Sequence, residues 1–533
     1  MATATSPVAA PAAARTRGPW FGLAAVLFGA FISTLTGRLS TFGLADIRGA
    51  VHAGFDDGAW ITTAQTSGQM LITPLTIWAG GVYGPRRVLM WGASLFALAS
   101  FFIPFCTTLA PLLALQFVAG IGSGTFIPMT LPVVLRSLSP RMWAYGIATY
   151  SLSLELSLNI SASLEAWYID HLSWHFIFWQ NVPLALGMLV CLYLGLPRAP
   201  LPPRLKRPDL FGVTSAALGL ALLYAAFDQG NRLDWLSSGV IVGLLAGGTI
   251  LLLASFLHLL FVPSEWFAPM GAFRWPLPLL LLMVLVLRLT ILSTAFLIPQ
   301  FLIFGRGFRS LEVGQAMVWI AIPQLITAPV AALLLRRMDS RWIACIGLIC
   351  IGTACWVVAR TMTPEWGPQQ FLPTQLLQAL GQSLALSGVI YTSVQHLEPR
   401  TALTFGAMIQ TARLMGGELG LAVTTTFVRL REQHASNLLG QHVMSGDLAV
   451  SQRLNDYAHV VAAQSGGLVQ QRALALLAGA VRQAAQLQSF IDGFFGIGLV
   501  SFLMLAALLC MSRPPTGPAS YRPFHLPWQR RAA

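Results

Sequence analysis

Residues 151–167 read SLSLELSLNISASLEAW, placing two glutamates, an asparagine and a run of serines inside an otherwise oily chain. The stretch lies within an apolar-flanked segment, 143–168, long enough to cross a bilayer as a helix. At about 100° per residue, Asn159 falls about 40° from Glu155, and Ala162 and Ala166 fall within about 20° of it. That is a narrow stripe of polar and small residues. Glu165 lies about 80° away and about 15 Å further along the helix. A charge at mid-membrane costs about 3 kcal/mol on insertion scales, so both acids are expected to face a cavity or a partner. The spacing lets both edge one cavity at different depths. A carboxyl group in low dielectric suits the loading and release of a proton. The plainer alternative is that Glu155 only pairs with Arg38 or another fixed charge.

The rest of the chain makes this a membrane helix. Of its 533 residues 56% are hydrophobic and only 10% charged, and the mean hydropathy is +0.69. A soluble domain carries about a quarter charged residues. Apolar runs of about 20 residues, enough to span a bilayer, recur from Trp20 to Met511. They are continuous, unlike the alternating strands of a membrane barrel. Fourteen candidate spans can be drawn: 20–43, 58–80, 86–106, 110–135, 143–168, 175–196, 209–228, 237–262, 275–302, 312–335, 342–360, 370–394, 403–428 and 489–511. With the amino terminus inside, 19 of the 32 Lys/Arg fall on inside segments, 10 outside, and Arg38, Arg288 and Arg413 within spans. This bias predicts both termini in the cytoplasm. The net charge of +13 is scattered over helix ends, which speaks for topology signals and against a nucleic-acid partner.

The first 19 residues are Ala/Pro-rich and lack an apolar core, so they read as a disordered cytoplasmic tail. Residues 197–208 form a basic, proline-rich cytoplasmic linker after six spans. Residues 209–262 hold two further spans, and 275–511 hold six more. Residues 512–533 read as a cytoplasmic tail. A long external loop, 429–488, interrupts the last pair of spans. Its second half, GGLVQQRALALLAGAVRQAAQLQ (466–488), has helical periodicity. It reads either as a lid over the outer mouth or as a docking surface for a periplasmic adaptor protein. All six cysteines lie in apolar runs, and no metal-ligand spacing, catalytic triad or nucleotide-binding loop is present. No cofactor and no enzymatic activity are expected. His175 reads as an interface residue. GIGSG (120–124) reads as close helix packing.

Several motifs together resemble the fourteen-span drug:proton antiporter branch of the major facilitator superfamily, the Emr/Qac type. They are SWHFIFWQNVPLALG (173–187), GFRSLEVG (307–314), FGAMIQTARLMGGELGLAVTTTF (405–427), REQHASNLL (431–439) and DGFFGIG (492–498). The resemblance covers nearly all of Phe21–Leu509. It implies an all-α polytopic membrane protein with two six-helix bundles, 20–196 and 275–511, and two helices inserted between them. It also implies export of amphipathic toxic small molecules in exchange for protons, by rocking of the bundles about a midplane site.

The departures from the pattern bear on mechanism. WAGGVYGPRR (78–87) keeps Gly84, Arg86 and Arg87 of the family's conformational latch, but Gly81 stands at its acidic position. QFVAG (116–120) puts Gln116 where the family has a membrane arginine. LTGRLSTFGLADI (35–47) puts Thr36 at the family's aspartate, with Arg38 two residues on. SASLEA (161–166) replaces a Gly-Pro motif. Coupling charges are therefore expected to be rearranged, with Glu155, Glu165, Arg38 and Gln116 as proton-coupling candidates. Asn159, Arg288, Gln300, Arg413 and Glu418 are candidates for the substrate cavity. Arg413 and Glu418, five apart, project about 140° from each other and make poor partners. Gly416, Gly417 and Gly420 would let another helix approach. The three arginines favour an anionic or zwitterionic substrate and the two acids a cation. An exporter dedicated to one metabolite, such as an aromatic acid or siderophore, is the alternative reading, and a membrane subunit without transport activity a third.

Overall fold

The computed structural model describes residues 19–198, 209–261, 275–397, 401–443, 447–462 and 469–511. The two expected tails and nearly all of the proline-rich linker lie outside the described residues. The long elements are α1 (Pro19–Phe42), α2 (Trp60–Tyr83), α3 (Pro85–Phe102), α4 (Leu109–Ser137), α5 (Trp143–His171), α6 (Phe176–Gly195), α7 (Leu210–Gly230) and α8 (Gly239–Phe261). They continue as α9 (Leu277–Gly305), α10 (Ser310–Arg337), α11 (Ser340–Thr361), α12 (Leu372–Gln395), α13 (Ala402–His442), α14 (Leu448–Ala462) and α15 (Val469–Leu509). Ten of them are long and apolar enough to cross a membrane. The expected fourteen crossings also need α2, α5, α12 and α13. These are at least 24 residues long. What sets them apart is buried polarity: Gln65 and Gln69 on α2, Glu155 and Asn159 on α5, Gln378 and Gln382 on α12, and Arg413 on α13. Helices that line an interior polar seam lose the apolar composition of helices that face lipid.

Two cores organise the molecule. One, drawn from residues 23–196, centres on Phe96, Phe126 and Phe178. The other, around Phe301, Phe371, Phe405 and Phe494, also takes in Ile127, Ile147, Tyr150 and Leu154 of the first half, so the halves pack on each other. Part of this contact lies at the end of the bundle where α1 begins and α15 stops. There a Cβ on Gly406 of α13 would collide with the Pro128 carbonyl of α4, and one on Gly80 of α2 would come within 3.1 Å of Leu403. Arg336 of α10 donates to the Tyr145 hydroxyl of α5 at 2.7 Å.

Each half fastens its last helix the same way at this end. Gly84 turns the chain with φ +80°, where only glycine sits at ease, and Pro85 starts α3. Arg86 then donates to the Leu196 carbonyl at 2.9 Å, just past the end of α6, and lies over the Tyr193 ring. Arg341 at the start of α11, held by Asp339, donates likewise to the Met511 carbonyl just past α15. A cation among the orphan carbonyls of a helix end is favourable. Arg87 reaches only Tyr83, on the turn before it, at 3.5 Å.

The glycines of GIGSG pack as read above. A Cβ at Gly120 would overlap the Gln65 carbonyl of α2, and one at Gly122 would sit 2.7 Å from the Gly92 carbonyl of α3. In the segment read as a long external loop, the helix expected in its second half is present, and the described residues of its first half are mostly helical as well. Helix α13 runs without a break to His442, and α15 starts at Val469, 41 residues each. Each is about 60 Å long against an apolar bilayer core of about 30 Å. The two therefore project together beyond the bundle, tied by Arg431 to Asp492 at 2.6 Å, with α14 packed on α15.

Candidate functional site

A cavity of about 480 Å3 lies between the halves, walled by α1, α2, α7, α9 and α13 with Ile127 of α4 and Leu158 of α5. It is on the side away from the termini, where the exposed residues Thr41 and Ile303 form part of its rim. Arg38, Arg288, Gln300, Arg413 and Glu418 all line it. Asn159, Glu155, Glu165 and Gln116 do not appear in its lining.

Helix α9 owes its shape here to two π-helical turns, Ser293–Leu297 and Phe301–Gly305, which flank Pro299. Such turns re-aim backbone groups and recur at functional sites. Pro299 has no N–H to give the Ala295 carbonyl, and Arg38 of α1 donates to that carbonyl instead, at 3.2 Å. Arg38 also lies over the Phe42 ring. Arg413 donates to Gln410 at 2.9 Å and to the Thr34 hydroxyl at 3.3 Å. Arg288 makes no hydrogen bond or ion pair among the described residues, and Gly417 opposite leaves room for it. As expected from their azimuths, Arg413 and Glu418 are not partners. Gly416 and Gly420 do admit another helix, since a Cβ on either would press on the backbone of α9.

Glu418 turns to α7, where the Tyr224 hydroxyl donates to it at 2.8 Å. Asp228, one turn on, also lines the cavity and accepts from Thr63 of α2 and from Gln229. Tyr224 and Asp228 were not singled out above. Their i,i+4 spacing puts both on one face of α7, but an acid in the last turn of an apolar run reads as a loop residue.

The polar stripe of α5 faces α10 and α12, and this corrects the expectation that Glu155 and Glu165 edge one cavity. Asn159 donates to Gln324 of α10 and Gln382 of α12, both at 3.1 Å, and Gln382 donates on to Thr294 of α9. Glu155 is fully buried beside α12, neither of its carboxyl oxygens has a hydrogen-bond partner among the described residues, and no ion pair joins it to Arg38. Glu165 is buried near the far end of α5, beside Gly43, with Asp46 and Asp170 as the charges around it. Gln116 and Gln65 are fully buried on the packed pair α4 and α2, and neither side chain has a hydrogen-bond partner among the described residues. Periodicity gave each residue's azimuth on its own helix; it could not say which helices surround that azimuth.

A family model described as the Major Facilitator Superfamily matches residues 26–420. The multidrug export protein EmrB of Escherichia coli (strain K12) is 21% identical over 495 residues, which cover 91% of this chain and 94% of the relative. The probable multidrug resistance protein EmrY of the same strain is 22% identical over 509 residues, covering 93% and 96%. The solved structure of the proton:xylose symporter XylE superposes with a TM-score of 0.57 at 11% identity, covering 92% of this chain and 95% of that one.

Proposed function

This chain belongs to the major facilitator superfamily, and on that premise we propose that it exports amphipathic small molecules from a bacterial cell in exchange for protons, by alternating access. The observation that carries the reading is the charged cavity between two packed halves, wide at one end and sealed at the other by α13 against α4 and α2. Relatives named as multidrug export proteins support efflux of toxic compounds. The bias of Lys/Arg supports a multi-pass protein of the plasma membrane with cytoplasmic termini, which makes the sealed end the cytoplasmic one.

For coupling, Glu155 is the leading group. It belongs to the first half and is buried beside α12 of the second, so a rocking motion would change its surroundings. Glu165, Arg38 and Gln116 are the further coupling candidates, and Asn159 braces the wall behind the cavity. Gly84, Arg86 and Arg87 act as the latch on the cytoplasmic side, with Arg86 fastening α6. The projecting ends of α13 and α15 with α14 present exposed Leu448, Val460, Leu474 and Leu476, which suits docking of a periplasmic adaptor.

The test is purified protein in liposomes with an imposed pH gradient and a panel of cationic and anionic dyes. Gradient-driven movement of at least one dye is expected. If no compound moves faster than in protein-free liposomes, the reading fails.

A further inference from the structure

We propose that the cavity is selective for organic anions, whose charged head sits among Arg38, Arg288 and Arg413. This names the substrate class of the exporter proposed above and rests on that reading.

The charges of the cavity are unevenly satisfied. The three arginines come from three helices, α1, α9 and α13, and all line one space. None forms an ion pair among the described residues. Arg38 is held by a carbonyl and a ring, and Arg413 by an amide and a hydroxyl. Arg288 has neither kind of contact, and its Nε is buried without a partner, as are those of Arg38 and Arg413. Arg288 is repelled by both other arginines. Like charges converge in one cavity at a cost that a bound anion would relieve.

The acids do not supply that anion. Glu418 and Glu155 are the acids that Arg288 feels, and Glu418 is the one that Arg38 feels, yet neither acid comes within ion-pair distance of either arginine. Glu155 lies outside the cavity lining. Glu418 is engaged by the Tyr224 hydroxyl, and Asp228 by Thr63 and Gln229. Three arginines then outnumber the two acids of the lining, and neither acid pairs with them. Around them Ile127, Leu158, Ile291, Leu292 and Phe296 give an apolar wall for the body of the ligand. The competing cation reading from sequence depended on Glu155 and Glu165, and neither lines the cavity.

The inserted helix α7 is part of this preference. It brings Tyr224 to Glu418 and so keeps that carboxylate from the arginines.

The probes are 1-naphthoate and 1-naphthylmethylammonium, which share a ring system and differ in charge. Binding is measured by fluorescence on the full chain in lipid nanodiscs. Naphthoate is expected to bind roughly tenfold tighter or more than the cation, the size of one charge-assisted hydrogen bond. Arg288→Gln is expected to lose that preference without a change in melting temperature, since Arg288 holds nothing else in place. Arg38→Gln serves as a second variant should the first fold poorly. The proposal is overturned if the cation binds as well as naphthoate, or if both folded variants keep the anion preference. Transport of the same probes in liposomes separates the two readings. A pH gradient that drives the cation but not the anion leaves export standing and removes the anion site. Movement of neither probe nor any dye removes export, while the binding comparison still decides the site.

Discussion

At the scale of single residues, position along the chain predicted which charges are buried but not what they touch. Glu155 is the clearest case. Its stripe with Asn159 and Ala162 is legible from spacing, yet the stripe faces a buried seam with α10 and α12 and not the cavity. A buried acid between two moving bodies is a means of tying protonation to their separation. Glu155→Gln is therefore expected to hold pH-driven transport at the level of protein-free liposomes while equilibrium binding of substrate persists. A variant that pumps normally removes Glu155 from coupling. Arg86 is predicted to be structural in the resting state. Its hydrogen bond to the Leu196 carbonyl is of the charged kind, worth about 1.5–3 kcal/mol. Arg86→Ala should lower the melting temperature in nanodiscs and open the cytoplasmic end of α6 to cysteine labelling; an unchanged melting temperature together with unchanged labelling would refute the fastening role.

At the scale of elements, the least expected assignment is α7. From sequence it is one of two spacer spans, and α8, packed on α7 with a largely exposed apolar surface, fits that description. Helix α7 instead joins both halves at the cavity. It holds α2 through Asp228 and Gln229 to Thr63, and α13 through Tyr224 to Glu418 and Asn231 to the Ala422 carbonyl. Asp228 was missed because an acid four residues after an aromatic, at the end of LYAAFDQGN, has the same composition as any helix exit. Asp228→Ala removes the carboxylate that accepts from Thr63 and should lower the melting temperature in nanodiscs while the anion preference is retained. An unchanged melting temperature would remove Asp228 as a tie between α7 and α2. The long overhangs of α13 and α15 were legible as a helical pattern only in part, since Gln, His and Ser weaken the apolar period where the helices leave the bilayer. If they dock an adaptor, deletion of 446–466 should abolish co-purification of the adaptor and leave the detergent-solubilised protein monodisperse. Retained co-purification would move the contact elsewhere.

For the whole molecule, the fold was readable because rhythm and charge bias survive in helices whose hydropathy does not. α2, α5, α12 and α13 carry polar side chains within their apolar runs because they build the seam between the halves. The state observed is sealed at the terminus end, where Gly406 abuts Pro128, Gly80 nears Leu403 and Arg336 reaches Tyr145. Alternating access requires this seal to part, and the seam of Asn159, Gln324 and Gln382 to slide with it. The halves are joined there by small-residue contacts and neutral amides, with Arg336 on a neutral hydroxyl, so among the described residues separation strands no buried ion pair. A cross-link at the seal should then arrest the cycle at one point. In a cysteine-free background, Tyr145→Cys with Arg336→Cys is expected to transport before cross-linking, to stop when the pair is bridged by a reducible bifunctional maleimide, and to resume on reduction. Throughout, cavity residues such as Gln300 should stay open to labelling from the far side, because the locked state is the one described here. Transport that continues through the closed cross-link would mean that this end never opens, and would rule out rocking of the two halves as the transport cycle.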